Sequence, residues 1–406
     1  MLQNQSMALR HRKDDFIKLM KRVMLFSANV TTLLQFAKSD IKALQTLGVE
    51  IHLACPLTDP PVTEEAIAQF NEAFPKLIWH DVPFYENIYA VRKNHKAYSQ
   101  FVELLQETQP DLLHCMGTTA GYYGKKAVHA LNKTGTEMPC LYTPTDFALY
   151  THCSFFHWLF YDVLERRYPH ALTAVIPVCE PDKLYIQKHF PDWTCEDTTV
   201  KRLEYAYYST PTRSKEEMRQ ELEIPEDSFV LTTVGALRPQ KRQRIVIQAI
   251  SRLPKDNQVH YILCGEGRDR EFLERLSERL HVEDHVHFIG YRTDVPDILG
   301  ASDVFCFPSQ YETSCEAALE GMAAGLPLIS TRTHGMKYYD EKHEIGAIFL
   351  QDDLVDACVN AIQQLSENAM SCRQLGATNR GIAKEYTDTG YWEDVRKIYQ
   401  KYLELI

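Results

Sequence analysis

Several common signatures are missing from this chain, and each absence removes a class of function. No Cys-x-x-Cys occurs and no His/Cys pair has zinc-ligand spacing, so neither a zinc site nor a dithiol redox centre is indicated. The 11 cysteines are odd in number and scattered from Cys55 to Cys372, a pattern of a reducing cytoplasm rather than a disulfide framework. No Gly-x-Gly-x-x-Gly follows the opening strand, which disfavours a dinucleotide cofactor, and with it an NAD enzyme or a nucleotide-sugar epimerase. No apolar run approaches the ~20 residues that span a bilayer. The longest, around Ala171–Cys179, is strand-sized, and the first residues lack the apolar core of a signal peptide. Cations are in deficit, 44 Lys+Arg against 55 Asp+Glu for a net charge of −11, so general nucleic-acid binding is disfavoured.

What is present is a long alternation of apolar strands and helical segments. At 406 residues the chain suits two or three domains with ordinary cores. Val23–Ser27, Val49–Cys55, Leu112–Cys115, Cys140–Thr143 and Thr173–Pro177 read as strands of a first α/β domain, assigned to residues 22–208. Pro211–Ser214 reads as a linker. A second α/β domain, residues 215–385, opens with Phe229–Gly235 and continues through Val259–Cys264, Val286–Ile289, Val304–Phe307 and Leu328–Ser330. This alternation predicts two Rossmann-like, doubly wound parallel sheets with their strand carboxyl ends around a central cleft. Trp392, Val395, Ile398, Tyr399, Tyr402 and Leu403 share helical spacing, so residues 386–406 are expected to form a helix packing back on the first domain. The basic segment 1–21, with Arg10, Arg12, Lys13, Lys18 and Lys21 among apolar residues, suits a solvated leader or an amphipathic helix on anionic lipid.

The most informative stretch runs from Pro308 to Pro327. Strand, loop, helix, Gly325-Leu326-Pro327 and strand make a parallel βαβ unit whose ligand edge lies at the end of the first strand. With Ser314 as N-cap, Glu312 sits in the loop and Glu320 about two turns further along, at ~3.6 residues per turn. Two carboxylates beside free helix N–H groups suit a polyhydroxylated, phosphate-bearing ligand. Two glutamates eight residues apart are also a frequent coincidence.

Five segments in order turn the coincidence into a resemblance. They are Val234-Gly235-Ala236-Leu237-Arg238-Pro239-Gln240-Lys241, Cys264-Gly265-Glu266-Gly267, Val286–Tyr291, Ala301–Val304 and Pro308–Pro327. Residues 229–335 resemble the donor-binding half of retaining glycosyltransferases of family 4, which have the GT-B fold. More loosely, through Asp111–His114 and Tyr142-Thr143 with Phe147, the first half resembles the bacterial members that build capsular, exopolysaccharide or lipopolysaccharide chains. The resemblance implies that Lys241 faces the donor diphosphate, with Arg238 reaching it from the same loop, and that Glu312 faces the donor sugar. It implies that Glu320 accepts from the ribose hydroxyls, and that the backbone of Thr313, Ser314, Cys315 and Glu316 contacts sugar or phosphate. Gly290-Tyr291-Arg292 would hold the base, uracil being the commonest in the family. Gly235 belongs to the phosphate turn, and Gly265 and Gly267 would let the backbone approach the ligand, unless they simply form a β-turn. No Asp-x-Asp occurs, in keeping with transfer that needs no metal and no cofactor, where Lys241 and a helix dipole neutralise charge.

The chain also departs from the family. Ala236 stands where relatives carry an Arg, and Thr145 where many carry a His. His114, at a strand end, and Asp146 are the first-domain residues placed to serve catalysis or orient the acceptor, although a strand-end His is more often structural. Glu165 matches a recurrent family Glu, or is a helix-surface charge. Ala28–Thr32 lacks the Gly-Gly of many relatives. The implied function is a cytoplasmic hexosyltransferase, in possible peripheral contact with the membrane, moving a sugar from a nucleotide donor to a glycan or lipid-linked acceptor. The alternative is a weakly active or inactive accessory subunit of a glycosyltransferase complex. No oligomeric state follows from the sequence.

Overall fold

The computed structural model describes residues 20–57, 64–85, 90–144, 155–196, 203–254, 257–312, 314–387 and 391–404. The chain divides into two units, Met1–Val200 with Gly390–Ile406, and Lys201–Thr389. In the first unit the strands are β1 (Arg22–Ser27), β2 (Glu50–Cys55), β3 (Leu77–Asp81), β4 (Leu112–Met116), β5 (Cys140–Thr143) and β6 (Ala174–Val175). They form one sheet of order β3-β2-β1-β4-β5-β6, parallel at every pairing. The second unit repeats the plan with β7 (Phe229–Val234), β8 (Val259–Cys264), β9 (Val286–Gly290), β10 (Val304–Phe307), β11 (Leu328–Thr331) and β12 (Ala347–Leu350). Their order is β12-β11-β10-β7-β8-β9, again all parallel.

Burial explains which strands were legible. Every residue of β4, β8, β10 and β11 is buried, as expected for strands covered by helices on both faces. Sequence reading missed β3 and β12, two of the four edge strands, where almost every residue is partly exposed and no continuous apolar run is required, whereas β9, an edge strand of similar exposure, was read. Pro211–Ser214, expected as a linker, lies inside the second unit. There Asp297 accepts from the backbone N–H groups of Thr212 and Arg213, at 2.5 and 3.1 Å.

The last helix, Tyr391–Tyr402, packs on the Lys38–Leu47 helix of the first unit. Val395, Ile398, Tyr399 and Leu403 join the cluster that also holds Val23, Leu25, Ile41 and Leu44. At the centre of this contact sits His114, and here the sequence expectation needs correction. Its ring is fully buried and does not open to a cleft. Tyr399 donates its hydroxyl hydrogen to Asp40 Oδ1 at 2.9 Å, so its oxygen accepts from His114 Nδ1 at 2.6 Å. The other ring nitrogen lies 2.8 Å from Thr143 Oγ1. With both nitrogens committed in a dry core, His114 ties the C-terminal helix to β4 and β5 and has no access to a substrate.

A pair of histidines also bridges neighbouring strands near an edge of each sheet. His52 and His80 lie 2.8 Å apart across β2 and β3, and His260 and His287 lie 2.9 Å apart across β8 and β9. Burial first, then His287, His285 and Arg219, pushes His260 down to about 4.

Two predictions follow from these contacts. Tyr399→Phe leaves His114 Nδ1 and Asp40 without the hydroxyl between them, and is expected to cost about 2 kcal/mol of stability in urea unfolding; an unchanged midpoint would show that the network is dispensable. His260 titrates below its unfolded value of 6.5, so the unfolded chain binds the extra proton first as pH falls. Stability contributed by neutral His260 is therefore present above 6.5 and lost as pH drops toward 4. His260→Gln should flatten that acid limb of the melting temperature, and an unaltered slope would remove His260 as its cause.

Candidate active site

In a doubly wound sheet the connections leave the two central strands in opposite directions, and ligands bind beyond their carboxyl ends. In the second unit those strands are β7 and β10. The loop after β7 begins at Gly235, whose φ of +142 suits glycine, and passes through a short 3-10 turn, Pro239–Lys241. The loop after β10 carries Ser309 to Glu312. The two loops are clamped by Gln240, whose carbonyl accepts from Gln310 N at 2.8 Å while its side-chain amide donates to Tyr311 O at 3.0 Å. This clamp brings Lys241 Nζ within 2.5 Å of Glu312 Oε1, both side chains being mostly buried. The backbone of Glu312 is fixed in turn, its carbonyl accepting from Gly335 N at 3.0 Å. The ammonium also lies 5.6 Å from the centre of the Phe307 ring.

The helix after this loop spans Glu316–Ala323. Ser314, expected as its N-cap, is not the cap. Cys315 takes that position with φ +51 and ψ +35, and its own side chain makes no capping hydrogen bond. A non-glycine residue in the left-handed region costs about 1 kcal/mol, and such residues cluster at functional turns. Ser314 instead offers its carbonyl to the Tyr339 hydroxyl at 3.0 Å, and buried Cys315 places Sγ 3.7 Å from Thr333 Oγ1. The turn thus brings the helix start next to the Lys241–Glu312 pair. Glu320, further along the helix, is half-buried. Burial and then the Glu320 carboxylate hold the phenol of Tyr208 well above its usual range, so it stays protonated.

Gly265 and Gly267 are required by the packing of neighbouring loops. A Cβ on Gly265 would lie 2.1 Å from Gly235 O, and one on Gly267 would lie 2.3 Å from Leu237 O. The close approach these glycines permit is therefore between the loops after β7 and β8. Gly235 N donates to Cys264 O at 2.9 Å and Leu237 N to Glu266 O at 3.0 Å. The loop after β9 is braced by charge: Arg292 binds Asp294 and Glu221, which raise its pKa further above the ordinary value. Beside it Tyr291 is 56% exposed, an aromatic face available for stacking.

The structure therefore brings Lys241, Glu312, Gly235, Ser314, Cys315 and Glu316 together, with Glu320 on the same helix. Arg238 is half-buried at the start of the Pro239–Lys241 turn. Ala236, at the position of the family Arg, offers only its carbonyl, to Gln243 Nε2 at 3.0 Å. Asp146 and Thr313, like Thr145 and Phe147, lie outside the described residues. Glu165 is no surface charge: it is buried, 3.2 Å from the ammonium of Lys125, and accepts from the Tyr142 hydroxyl at 2.8 Å. Sequence reading missed Gln240 and Tyr208. The density of tyrosines in Tyr205-Ala206-Tyr207-Tyr208 was the one available sign of the latter. Among the described residues no three His, Cys, Asp or Glu side chains form a group that could hold a metal ion.

Comparison with known proteins finds relatives among glycosyltransferases. Residues 214–381 match the family model of glycosyl transferases group 1. The Escherichia coli UDP-Gal:alpha-D-GlcNAc-diphosphoundecaprenol alpha-1,3-galactosyltransferase is 24% identical over 327 residues, 77% of this chain and 80% of that protein. LpsE, a lipopolysaccharide core biosynthesis glycosyltransferase of Rhizobium meliloti, is 33% identical over 158 residues, 38% of this chain and 45% of its own length. Among solved structures, Anabaena HepE in complex with UDP-glucose superposes with a TM-score of 0.72 at 18% identity, covering 94% of this chain and 99% of that one. That likeness is one of fold, and identifies the two six-stranded units as a GT-B architecture.

The nesting of the two loops is testable. Gly265→Ala is expected to cost about 2 kcal/mol or more, because the new Cβ meets a backbone oxygen that cannot swing aside. Gly381→Ala, where an added Cβ meets nothing within 4 Å, is the control. Equal melting temperatures for the two variants would contradict the packing described.

Proposed function

We propose that this chain, a glycosyltransferase whose residues 214–381 belong to the group 1 family, transfers a hexosyl residue from a UDP-sugar to a glycan or lipid-linked acceptor with retention of anomeric configuration. The observation that carries this reading is the Lys241–Glu312 pair, held at the point where the second sheet changes direction. A cation there can leave the carboxylate for an incoming diphosphate, and the start of the Glu316–Ala323 helix adds N–H groups to the same charge. Glu312, released from Lys241, then faces the sugar. Glu320 accepts from the ribose hydroxyls, and Tyr291 lies beside the base.

In the reaction the bond from the anomeric carbon to the diphosphate oxygen breaks while the acceptor hydroxyl attacks from the same face. The hydroxyl proton passes to the departing diphosphate. Negative charge grows on that leaving group, so Lys241 and the helix N–H groups stabilise the transition state more than the ground state. No metal is required in this scheme. Uracil as the base is supported by HepE, solved with UDP-glucose, and by the name of the E. coli galactosyltransferase. A lipid-linked acceptor at the cytoplasmic face of a membrane, in cell-surface polysaccharide synthesis, is supported by the diphosphoundecaprenol in that name and by the lipopolysaccharide role of LpsE. Among the described residues no helix is long and apolar enough to cross a membrane.

A panel of UDP-, GDP- and ADP-hexoses, scored by thermal shift and by release of nucleoside diphosphate, tests the reading. A UDP-hexose is expected to stabilise and turn over, with turnover unchanged in EDTA. Lys241→Ala and Glu312→Ala should each lower kcat/KM by about 100-fold or more, the usual loss when a charge stabiliser is removed. No shift with any donor would sink the assignment of the site, and activity lost in EDTA but restored by Mg²⁺ would overturn the metal-free scheme.

A further inference from the structure

The loop after β9 is held by a closed ring of four charges. Arg292 forks onto Asp294, with Nε 2.7 Å from Oδ1 and Nη2 2.6 Å from Oδ2, and its Nη2 also lies 2.8 Å from Glu221 Oε1. Arg213 reaches the same two carboxylates, through Nη2 to Asp294 Oδ2 and Nη1 to Glu221 Oε2. Its third nitrogen, Nε, lies 3.2 Å from Asp297 Oδ2. Asp294 and Glu221 are thus each shared by two arginines. The ring joins the chain before the Lys215–Glu221 helix, the last residue of that helix, the loop after β9 and the N-cap of the Val295–Gly300 helix. Tyr207 adds a neutral tie, its hydroxyl donating to the carbonyl of Thr293 at 2.5 Å. Between β9 and these ties stands the exposed ring of Tyr291.

We propose that Arg213 is a positioning residue for recognition of the donor base: by closing the ring it fixes the loop from Gly290 to Thr293, so that Tyr291 and the backbone beside it meet the base already ordered. The inference rests on the reading of this loop as the base contact. The four side chains of the ring are 26–42% exposed, and ion pairs that wet add little to stability. What such a ring does fix is geometry, because guanidinium–carboxylate forks are directional. Hydrogen bonding to Arg292 holds the Asp294 carboxyl below its usual range, so the ring keeps its charges at neutral pH. A loop left free would have to be ordered on binding, at a cost in affinity. Arg213 has to be an arginine for this task. Its three nitrogens meet three different carboxylates, a pattern that an ammonium on a flexible stem cannot reproduce. The stretch Pro211–Ser214 that reads as a linker in sequence therefore contributes the keystone of the loop.

Calorimetric dissociation constants for UDP, GDP and ADP give a base preference, the ratio of the weakest to the tightest. In the wild type that ratio should be about tenfold or more. Arg213→Lys keeps the charge and loses the fork, and the ratio should fall to about threefold or less because the tightest nucleotide loses most. KM for the donor should rise by a similar factor while kcat stays nearly unchanged. Glu221→Gln opens the ring at its most exposed carboxylate, where the fold is least disturbed, and should do the same. Combining the two should add little, as for residues that act through one element. Tyr291→Gly strips the ring and frees the backbone, so it probes the base contact directly and should abolish the preference. If Tyr291→Gly abolishes it while Arg213→Lys and Glu221→Gln leave the ratio unchanged, or lower kcat instead of raising KM, the ring is merely structural and the proposal is overturned. If Tyr291→Gly retains the preference, or the wild type has none, the base reading itself falls, and the inference with it. Failure of all three nucleotides to bind would remove the site and both readings together.

Discussion

The site in the second unit depends on a gap that a doubly wound parallel sheet cannot avoid. Because β7 and β10 are neighbours whose connections depart to opposite sides, the loops beyond their ends diverge, and neither connection covers the space between them. The chain bridges that space with Gln240, and the bridge sets Lys241 against Glu312. Two mostly buried opposite charges satisfy each other, so neither is left as an unpaired buried ion. The strained Cys315 turn starts the next helix without a capping bond from its own side chain.

Much of this was legible in the residues, and what escaped has identifiable causes. The central strands announced themselves because full burial demands continuous apolar runs, whereas β3 and β12 at the edges carry no such demand. Lys241, Glu312 and Glu320 were found through a pattern of five ordered segments, with spacing along the chain standing in for proximity. Spacing failed where the decisive neighbour is far away in sequence. The constraint on Gly265 comes from the carbonyl of Gly235, and that on His114 from Tyr399. Ser314 lost the cap position for a local reason that no propensity encodes: Cys315 adopts a left-handed conformation, and the carbonyl of Ser314 is taken by Tyr339. Tyr208 was overlooked because it precedes a stretch read as linker, and aromatic residues next to a presumed linker draw no attention.

The first unit shows a related limit for charged residues. Glu165 and Lys125 both lie on helices, where a charge is usually solvated, yet they are buried together beneath Tyr142. The ammonium is within 5.4 Å of the Tyr142 ring centre and 5.2 Å of that of Trp193, so aromatic faces share its charge with the carboxylate. Such a triad is costly to bury and gains little over apolar packing unless each group is satisfied. Here the Glu165 backbone carbonyl also accepts from Lys125, at 2.8 Å, and the phenol donates to the second carboxylate oxygen. The helix bearing Glu165 is thereby tied to β5 and to the Thr118–Asn132 helix by direction-dependent bonds as well as by apolar area.

The return of the last helix gives the first unit an unusual history. Val23, Leu25 and Ile41 share a cluster with Val395, Ile398 and Tyr399, residues made only after the whole second unit has been synthesised. Until then the apolar face that the Tyr391–Tyr402 helix will cover stays open, and Asp40 and His114 wait for their hydroxyl. At ~5–20 residues added per second, the interval lasts on the order of 10 seconds or more, long compared with collapse of a single domain. The domain begun first is thus finished last, and in the growing chain the second unit is the one able to fold to completion ahead of its elder neighbour.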